Sequence, residues 1–152
     1  SNIDLSGVTL TQIRDNKVIR VVPAVWNLVA AASPAVLVND ATVLNDLTVN
    51  AGESFSPNSY SITVSGNITC NGTWSKGTGT ITLSGTADQS IDFNSETIED
   101  LVVDKTSGTV TFTGGFTTDS LTVTQGTLDA NSQAVTVSGN LTCAAGTTVT
   151  ET

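Results

Sequence analysis

The strongest constraint on the fold is an internal repeat. Residues 47–73 (LTVNAGESFSPNSYSITVSGNITCNGT) and residues 121–147 (LTVTQGTLDANSQAVTVSGNLTCAAGT) align with one single-residue gap. The offset is 74 residues before the gap and 73 residues after it, where ITVSGNITCNG matches VTVSGNLTCAA. Repetition of this kind is the signature of an architecture built by stacking similar units.

A finer period lies beneath the long repeat. Apolar-Thr-apolar triplets open at Ile62, Ile81, Leu121 and Leu141, and Leu101-Val102-Val103 fits the same series, with steps of 19, 20, 20 and 20 residues. A second series runs Leu47, Ile68, Ile91, Val110, Leu128, Val149, and a third runs Phe55, Trp74, Phe116, Val135, with Phe93 or Ile98 in its gap. Three interleaved series predict a coil of three short strands and three turns. The long repeat is then about three and two-thirds coils, which moves the motif round by one face.

The triplets alternate with a period of two, as strands with one buried face do. We expect the interior of the coil to hold Ile62, Val64, Ile81, Leu83, Val110, Phe112, Leu121 and Val123. The intervening residues Thr63, Thr82, Thr111 and Thr122 would point outward. Gly and Asn residues such as Gly66, Gly126 and Asn58 fall between strands, where tight corners need positive φ.

The stretch LTVTQGTLDANSQAVTVSGNLT resembles the repeats of right-handed parallel β-helices in phage virion proteins and bacterial surface proteins, and the likeness covers residues 44–152. Together with the period, it predicts an all-β right-handed parallel β-helix, a β-solenoid of about five to six triangular coils. It also implies a secreted or virion-borne rod, which in phage is often trimeric. We divide the chain into an N-terminal arm or cap at residues 1–43 and a solenoid domain at residues 44–152.

The N-terminal arm is the candidate cover for one end of the column, since a solenoid exposes its apolar interior at both ends. Pro23 predicts a short helix over AVWNLVAAAS that ends at Ser33-Pro34 and buries Trp26 and Leu28 on the first coil. The arm is either such a cap or a docking segment for another subunit or a host particle, and residues 1–22 could add a strand to a neighbour. As docking residues we predict Ile13, Val18, Ile19, Val21, Val22, Trp26, Leu28, Val36 and Leu37.

The other end of the column has no obvious cover. Residues 146–152 (GTTVTET) still have the pattern of a strand, with no polar cap or helix after them. Because an uncovered sheet edge promotes association, we expect a partner chain there, through trimer packing or stacking. Closure by the polar residues themselves is the alternative.

Composition excludes several classes of function. The chain carries 5 basic and 14 acidic residues, a net charge of -9, which disfavours nucleic acid and anionic membranes. Residues 21–38 form an apolar run of membrane-span length, but Pro23, Asn27 and Pro34 interrupt it, so we interpret it as a packing segment rather than a span. Met is absent, and Ser1 is compatible with removal of an initiator Met or a signal peptide. The two cysteines, Cys70 and Cys143, are expected to be buried free thiols, with a long-range bridge as the alternative.

The side chains offer little catalytic chemistry. With no His in the chain, a hydrolase triad cannot be assembled. Paired carboxylates can hydrolyse glycosides or hold Ca²⁺, and six lie within residues 88–104: Asp88, Asp92, Glu96, Glu99, Asp100 and Asp104. So short a column leaves little room for a substrate groove, and no Asp-x-Asp-x-Asp-Gly loop is present. We therefore predict solvated corners, with no catalytic residue, cofactor or metal.

Rows of Thr are the last feature with a functional interpretation. Thr-x-Thr pairs recur at Thr80/Thr82, Thr109/Thr111/Thr113, Thr122/Thr124 and Thr148/Thr150. They resemble the ladders of ice-binding solenoids, although Val102, Asp92 and Asp129 interrupt them and Thr is also a favoured residue on exposed strands. We expect a non-enzymatic structural protein of a phage virion, a capsid decoration or fibre protein anchored by its arm and forming homo-oligomers, with a trimer favoured. A secreted or cell-surface adhesin or filament subunit is the alternative, and ice or carbohydrate binding is the third.

Overall fold

The computed structural model describes residues 5–12, 18–19, 24–31 and 33–152, and residues 5–12 and 18 by their backbone alone. These residues contain only strands, turns and irregular segments. The strands are β1 Leu5–Gln12, β2 Val18–Ile19, β3 Val25–Ala30, β4 Ala35–Leu37, β5 Ala41–Val43, β6 Leu47–Val49, β7 Ser54–Ser56, β8 Ile62–Val64, β9 Ile68–Cys70, β10 Thr73–Trp74, β11 Thr80–Leu83, β12 Gln89–Asp92, β13 Thr97–Ile98, β14 Asp100–Phe112, β15 Phe116–Thr118, β16 Leu121–Asp129, β17 Val135–Val137, β18 Leu141–Cys143 and β19 Thr148–Thr150.

The chain winds into a parallel β-solenoid of about six turns, which confirms the predicted fold class. On the first face, the expected stack of Ile62, Ile81, Leu101 and Leu121 is in register, one residue per coil. The stack continues to Leu141. Every strand pair among the described residues is parallel, so each coil hydrogen-bonds to the coils before and after it.

The second face departs from the predicted series at one step. Leu47 pairs with Ile68 and Ile68 with Ile91, as expected. Ile91 then pairs with Phe112, whereas Val110 pairs with Gln89, so the expected step from Ile91 to Val110 is wrong by two residues. The reason is that Gln89 turns inward and is 2% exposed. Its amide nitrogen donates to the Val64 and Gly66 carbonyls, at 3.0 and 2.6 Å, which a pattern of apolar residues cannot reveal.

The third face holds a column of aromatic rings. Phe55, Trp74, Phe93 and Phe116 make successive edge-to-face contacts, with ring centroids 4.9 to 5.3 Å apart. Phe93 therefore fills the gap in the third series. Ile98 instead pairs with Thr118, two residues beyond Phe116. Edge-to-face geometry adds to the burial of these rings because it aligns their quadrupoles.

The predicted helix in the N-terminal arm is wrong. Residues 25–30 form β3, in which Val25, Leu28 and Ala30 are buried while Trp26 is 46% exposed. The strand is favoured because β1 pairs with one of its edges and β5 and β6 pair with the other, so its backbone groups are satisfied in the sheet. The stacked strands thus begin before Leu44. The division into an arm and a solenoid domain stays a prediction.

The corners are held by side chains that bond the next coil. At the corner between the first two faces, the Asn27 side-chain oxygen accepts from the Asp46 N–H, Asp46 from the Asn67 N–H, and Asn67 from the Ser90 N–H, at 2.8 to 3.0 Å. Coils approach closely at such points. A Cβ on Gly79 would lie 2.1 Å from the Tyr60 carbonyl oxygen, so only glycine fits there.

Candidate interaction surface at the open end of the solenoid

The solenoid has one end where strand edges are bare. β18 and β19 each pair with β16 on one side, and no described strand pairs with their other edges. We call the surface formed by β17, β18 and β19 the open end. Leu141 is 57% exposed and Val149 is 42% exposed there, although both continue files of residues that are buried in earlier coils. The uncovered end predicted from the sequence is thus present in the described residues.

The open end contains an apolar cleft. Its volume is about 120 Å³, and it is lined by Phe112, Leu121, Leu128, Val135, Val137, Leu141 and Val149, with Glu151 at the rim. A cleft of this size holds one or two aliphatic side chains rather than a small-molecule substrate. The surface therefore combines apolar side chains with backbone N–H and C=O groups that no described strand pairs.

The polar groups next to the open end serve to hold the last residues in place. Asp129 accepts hydrogen bonds from the backbone N–H of Asn131 at 2.8 Å and of Thr152 at 3.2 Å, and from the Thr152 hydroxyl. These hydrogen bonds, led by the one from the Thr152 hydroxyl, lower the pKa of Asp129. Residue 152 is therefore attached to the coil above it, and the bare edges of β18 and β19 belong to an ordered surface.

The two cysteines differ in environment. Both are free thiols, which confirms that no bridge joins them. Cys70 is buried, and burial raises its pKa to about 11, with the Glu96 and Asp92 carboxylates adding to the effect. Cys143 pairs with the buried Val123 but is exposed, because no described coil lies beneath it. The expectation that both thiols are buried is therefore wrong for Cys143.

The six carboxylates of residues 88–104 are dispersed, with Asp92 in β12 and Asp100 and Asp104 in β14. The prediction of solvated corners is wrong for Glu99, which is buried. Asp88 accepts from the Thr109 N–H and Asp92 from the Asn94 N–H. Asp100 accepts from the Ser120 hydroxyl, and Asp104 from Thr124. Most of these bonds join neighbouring coils. Among the described residues, no group of three or more Asp, Glu or Cys side chains is arranged to hold a metal ion.

Two buried ionisable side chains could not be predicted from the sequence pattern. Glu99 is 1% exposed and accepts from the Trp74 indole N–H at 3.0 Å, and burial raises its pKa. Lys105 is also 1% exposed; its ammonium donates to the Ser84 and Ala87 carbonyls, and burial lowers its pKa. Both are buried and make their hydrogen bonds within the column, so we assign them to the packing of the interior.

The predicted docking residues occupy different environments. Ile19, Leu28 and Leu37 are buried in the column, Val36 is half-buried, and Trp26 is accessible on the outer side of β3. Val18 lies in β2, which pairs with β4. Ile13, Val21 and Val22 lie outside the described residues. A role for these residues in binding a partner stays a prediction, which Trp26 can test most simply.

The Thr rows are in register on the first face. Thr42, Thr63, Thr82, Thr122 and Thr142 occupy one outward row, with Val102 as its single interruption. Neighbouring rows contain acidic side chains, including Asp100 and Asp104. The face therefore combines an ordered hydroxyl array with negative charge.

Comparison with known proteins identifies no relative of this chain. No family model, no curated protein and no solved structure matches the chain. No helix among the described residues is long and apolar enough to cross a membrane. The fold and the bare strand edges define the class: a parallel β-solenoid protein with an exposed apolar end.

Proposed function

We propose that the chain is a non-enzymatic structural protein, a component of a larger assembly. The observation that carries this proposal is the stack of parallel coils, in which the corner side chains of Asn27, Asp46 and Asn67 accept backbone N–H groups of the next coil. A β-solenoid fold is consistent with such a role.

The hydrogen bonding of the polar side chains supports a structural role over a catalytic one. The carboxylates of Asp46, Asp88 and Asp129 accept backbone N–H groups of a neighbouring coil. Carboxylates used in this way hold neighbouring coils together, whereas a general acid must reach the group that it protonates. Their positions follow the corners and do not converge on a common cleft.

The particular assembly that we propose is a phage virion, in which the protein would be a capsid decoration or fibre component. Support comes from the resemblance of the repeat motif to β-helices of phage virions. Cell-surface adhesins and filament subunits share that motif, and they are the alternative. A net charge of -9 and a solvated Thr, Ser and Asp surface suit both extracellular locations.

Purification of particles from the producing host tests the assignment. We expect the chain to co-purify with virions at a fixed stoichiometry, measured by quantitative mass spectrometry, and to resist protease while attached. Recovery in the envelope fraction would favour the adhesin. A chain found only as a free protein in the medium would contradict both. Trp26→Ala tests the docking arm: reduced attachment of a folded variant would support it, and unchanged attachment would exclude Trp26.

A second candidate function rests on the outward Thr row of the first face. Thr63 and Thr82 are paired in adjacent coils, about 4.8 Å apart, a spacing that regular hydroxyl arrays use to bind ice or sugars. Ice shaping or thermal hysteresis by the purified protein, lost on Thr63→Lys and Thr82→Lys but kept on Leu141→Asp, would favour this function. The acidic side chains in the neighbouring rows count against it.

A further inference from the structure

The corner between the third and the first face encloses a buried carboxyl group. Glu99 is 1% exposed, and its Oε2 atom accepts hydrogen bonds from the Trp74 indole N–H at 3.0 Å and from the Gly77 backbone N–H at 3.3 Å. Its Oε1 atom is buried as well and has no hydrogen-bond partner. A buried oxygen without a partner is costly, so the bonding of this carboxyl group is incomplete.

An exposed ion pair spans the coil that contains Glu99. The Lys76 Nζ atom lies 2.7 and 2.6 Å from the two carboxylate oxygens of Asp119, and the two side chains are 37% and 47% exposed. Side chains that join neighbouring coils connect residues 18 to 25 apart in sequence, whereas Lys76 and Asp119 are 43 residues apart. The ion pair therefore connects two coils that are not neighbours.

Both residues of this ion pair adjoin groups that contact Glu99. Lys76 directly precedes Gly77, whose backbone N–H donates to the Glu99 carboxyl group. Asp119 directly follows Thr118, whose hydroxyl donates to the Glu99 backbone carbonyl at 2.5 Å. The exposed pair and the buried carboxyl group thus belong to one cluster of charged groups.

In the described part of the chain, three other charged side chains border Glu99. The segments that donate hydrogen bonds to it contain Lys76 and Asp119, and Asp100 follows it in sequence. Asp100 lies on the outer side of β14, where its carboxylate accepts from the Ser120 hydroxyl. Burial raises the pKa of Glu99, and the charge of Lys76, a smaller effect, lowers it. Lys76 is therefore the cation at hand for an ionised Glu99.

We infer that Lys76 exchanges partners in this corner: it pairs with Asp119 while Glu99 is neutral and turns to the free Oε1 atom when Glu99 ionises. An exposed ion pair is weak, whereas an ionised carboxylate in the interior requires a cation close by. Because burial raises the pKa of Glu99, the exchange takes place as pH rises above the ordinary value of 4.5. Rising pH then removes the link between the two coils that are not neighbours. The inference is independent of the assembly to which the protein belongs.

Fluorescence of Trp74 measures the ionisation, because its indole N–H donates to Glu99. The chain has two Trp residues, so Trp26→Phe leaves Trp74 as the single emitter. From about pH 4 to 9 we expect its emission to change with a midpoint above the ordinary carboxyl pKa. Glu99→Gln should abolish the change, and circular dichroism verifies that each variant stays folded. Emission that does not titrate, or that still titrates in Glu99→Gln, would overturn the inference.

Substitution of the exposed pair tests the exchange itself. Lys76→Met keeps the apolar stem but removes the cation, so the midpoint should rise by about half a pH unit or more. Asp119→Asn leaves Lys76 free to turn to Glu99, so the midpoint should fall. Asp104→Asn removes a carboxylate elsewhere on β14, where it accepts from Thr124, and should leave the midpoint unchanged.

The double variant separates exchange from a direct effect of the Asp119 charge. If Asp119 acts through Lys76, Asp119→Asn should leave the midpoint unchanged in the Lys76→Met background. A direct effect of charge would lower the midpoint equally in both backgrounds, and this result would overturn the inference. A Lys76→Met protein that titrates like the parent would overturn it as well, since Lys76 would then have no part in the ionisation of Glu99.

Discussion

The same nine-residue motif is buried in the middle of the solenoid and bare at its open end. In residues 62–70, the inward side chains Ile62, Val64, Ile68 and Cys70 are at most 1% exposed. In residues 135–143, Leu141 is 57% exposed, Cys143 is exposed, and Val135 and Val137 are half-buried. Since the two sequences are nearly identical, the difference arises from position in the column. Burial in a solenoid requires a coil on both sides, and residues 135–143 have a described coil on one side only.

Truncation of the equivalent apolar residues should separate the two copies most strongly. Ile68→Ala removes a side chain enclosed by two coils, and we expect the free energy of unfolding to fall by about 2–4 kcal/mol. Leu141→Ala removes one that is already more than half exposed, and the loss should stay below about 1 kcal/mol. Urea denaturation at low protein concentration measures both. Equal losses would mean that the open end is covered in the isolated chain.

The equivalent thiols give a chemical version of the comparison. Cys70 is buried with its pKa raised to about 11, so its thiolate is scarce and hard to reach at pH 8. Cys143 is exposed. We expect a thiol reagent to modify Cys143 at least about 100-fold faster in the native protein. Cys143→Ser should remove the fast phase and Cys70→Ser should leave it unchanged; a single phase for both thiols in native protein would contradict the structure.

Substitution of the glycine shared by the two motifs tests how closely each copy contacts the preceding coil. A Cβ on Gly66 would lie 2.3 Å from the Asn45 carbonyl oxygen, and one on Gly139 would lie 2.8 Å from that of Asp119. Gly66 is held between two coils, so Gly66→Ala should destabilise by about 1–3 kcal/mol. Gly139 belongs to the last coil, which can shift toward solvent, and Gly139→Ala should cost less than half as much. Thermal unfolding compares them, and a larger effect at Gly139 would contradict this ranking.

The smallest expected effect is a pH dependence of stability, with opposite signs for the buried Glu99 and for Asp129 beside the open end. Burial raises the pKa of Glu99 above its unfolded value of 4.5, so its proton is bound more tightly in the folded state. Stability should be greatest below that value and decline as pH rises through the folded pKa. Asp129, with a lowered pKa, contributes stability above 3.8 that is lost as pH falls.

Two variants separate these contributions in urea midpoints measured from pH 3 to 8. Glu99→Gln keeps an acceptor for the Trp74 indole and should remove the decline above the ordinary pKa of the carboxyl group. Asp129→Asn should reduce the loss at acid pH while leaving that decline in place. A Glu99→Gln protein with the wild-type profile would contradict the assignment to Glu99.

Apolar periodicity was sufficient to predict the stacking but not the polar interior. The files through Ile62 and Leu101 follow from a 20-residue period because each coil must bury the same faces. Gln89, Glu99 and Lys105 break the apolar pattern. Each points inward because its polar group forms a hydrogen bond there, with a backbone carbonyl or with an indole N–H. The helix predicted at residues 24–33 is wrong because Pro23 and the alanines indicate only a local preference for helix. Pairing of β3 with strands on both of its edges outweighs that preference.

The open end was predictable for a related reason. Residues 141–150 keep the strand pattern of earlier coils, so the sequence predicts inward apolar side chains there, and no described strand covers them. Cys143 pairs with the buried Val123 on one side and has no described strand on the other, so its exposure follows from its position in the stack.

Hydrogen–deuterium exchange of the two motif copies tests the central claim most directly. At a concentration where the chain is monomeric, amides of residues 62–70 should be protected, while those of residues 141–150 that face away from β16 exchange within seconds to minutes. Strong protection of both copies in the monomer would contradict the account.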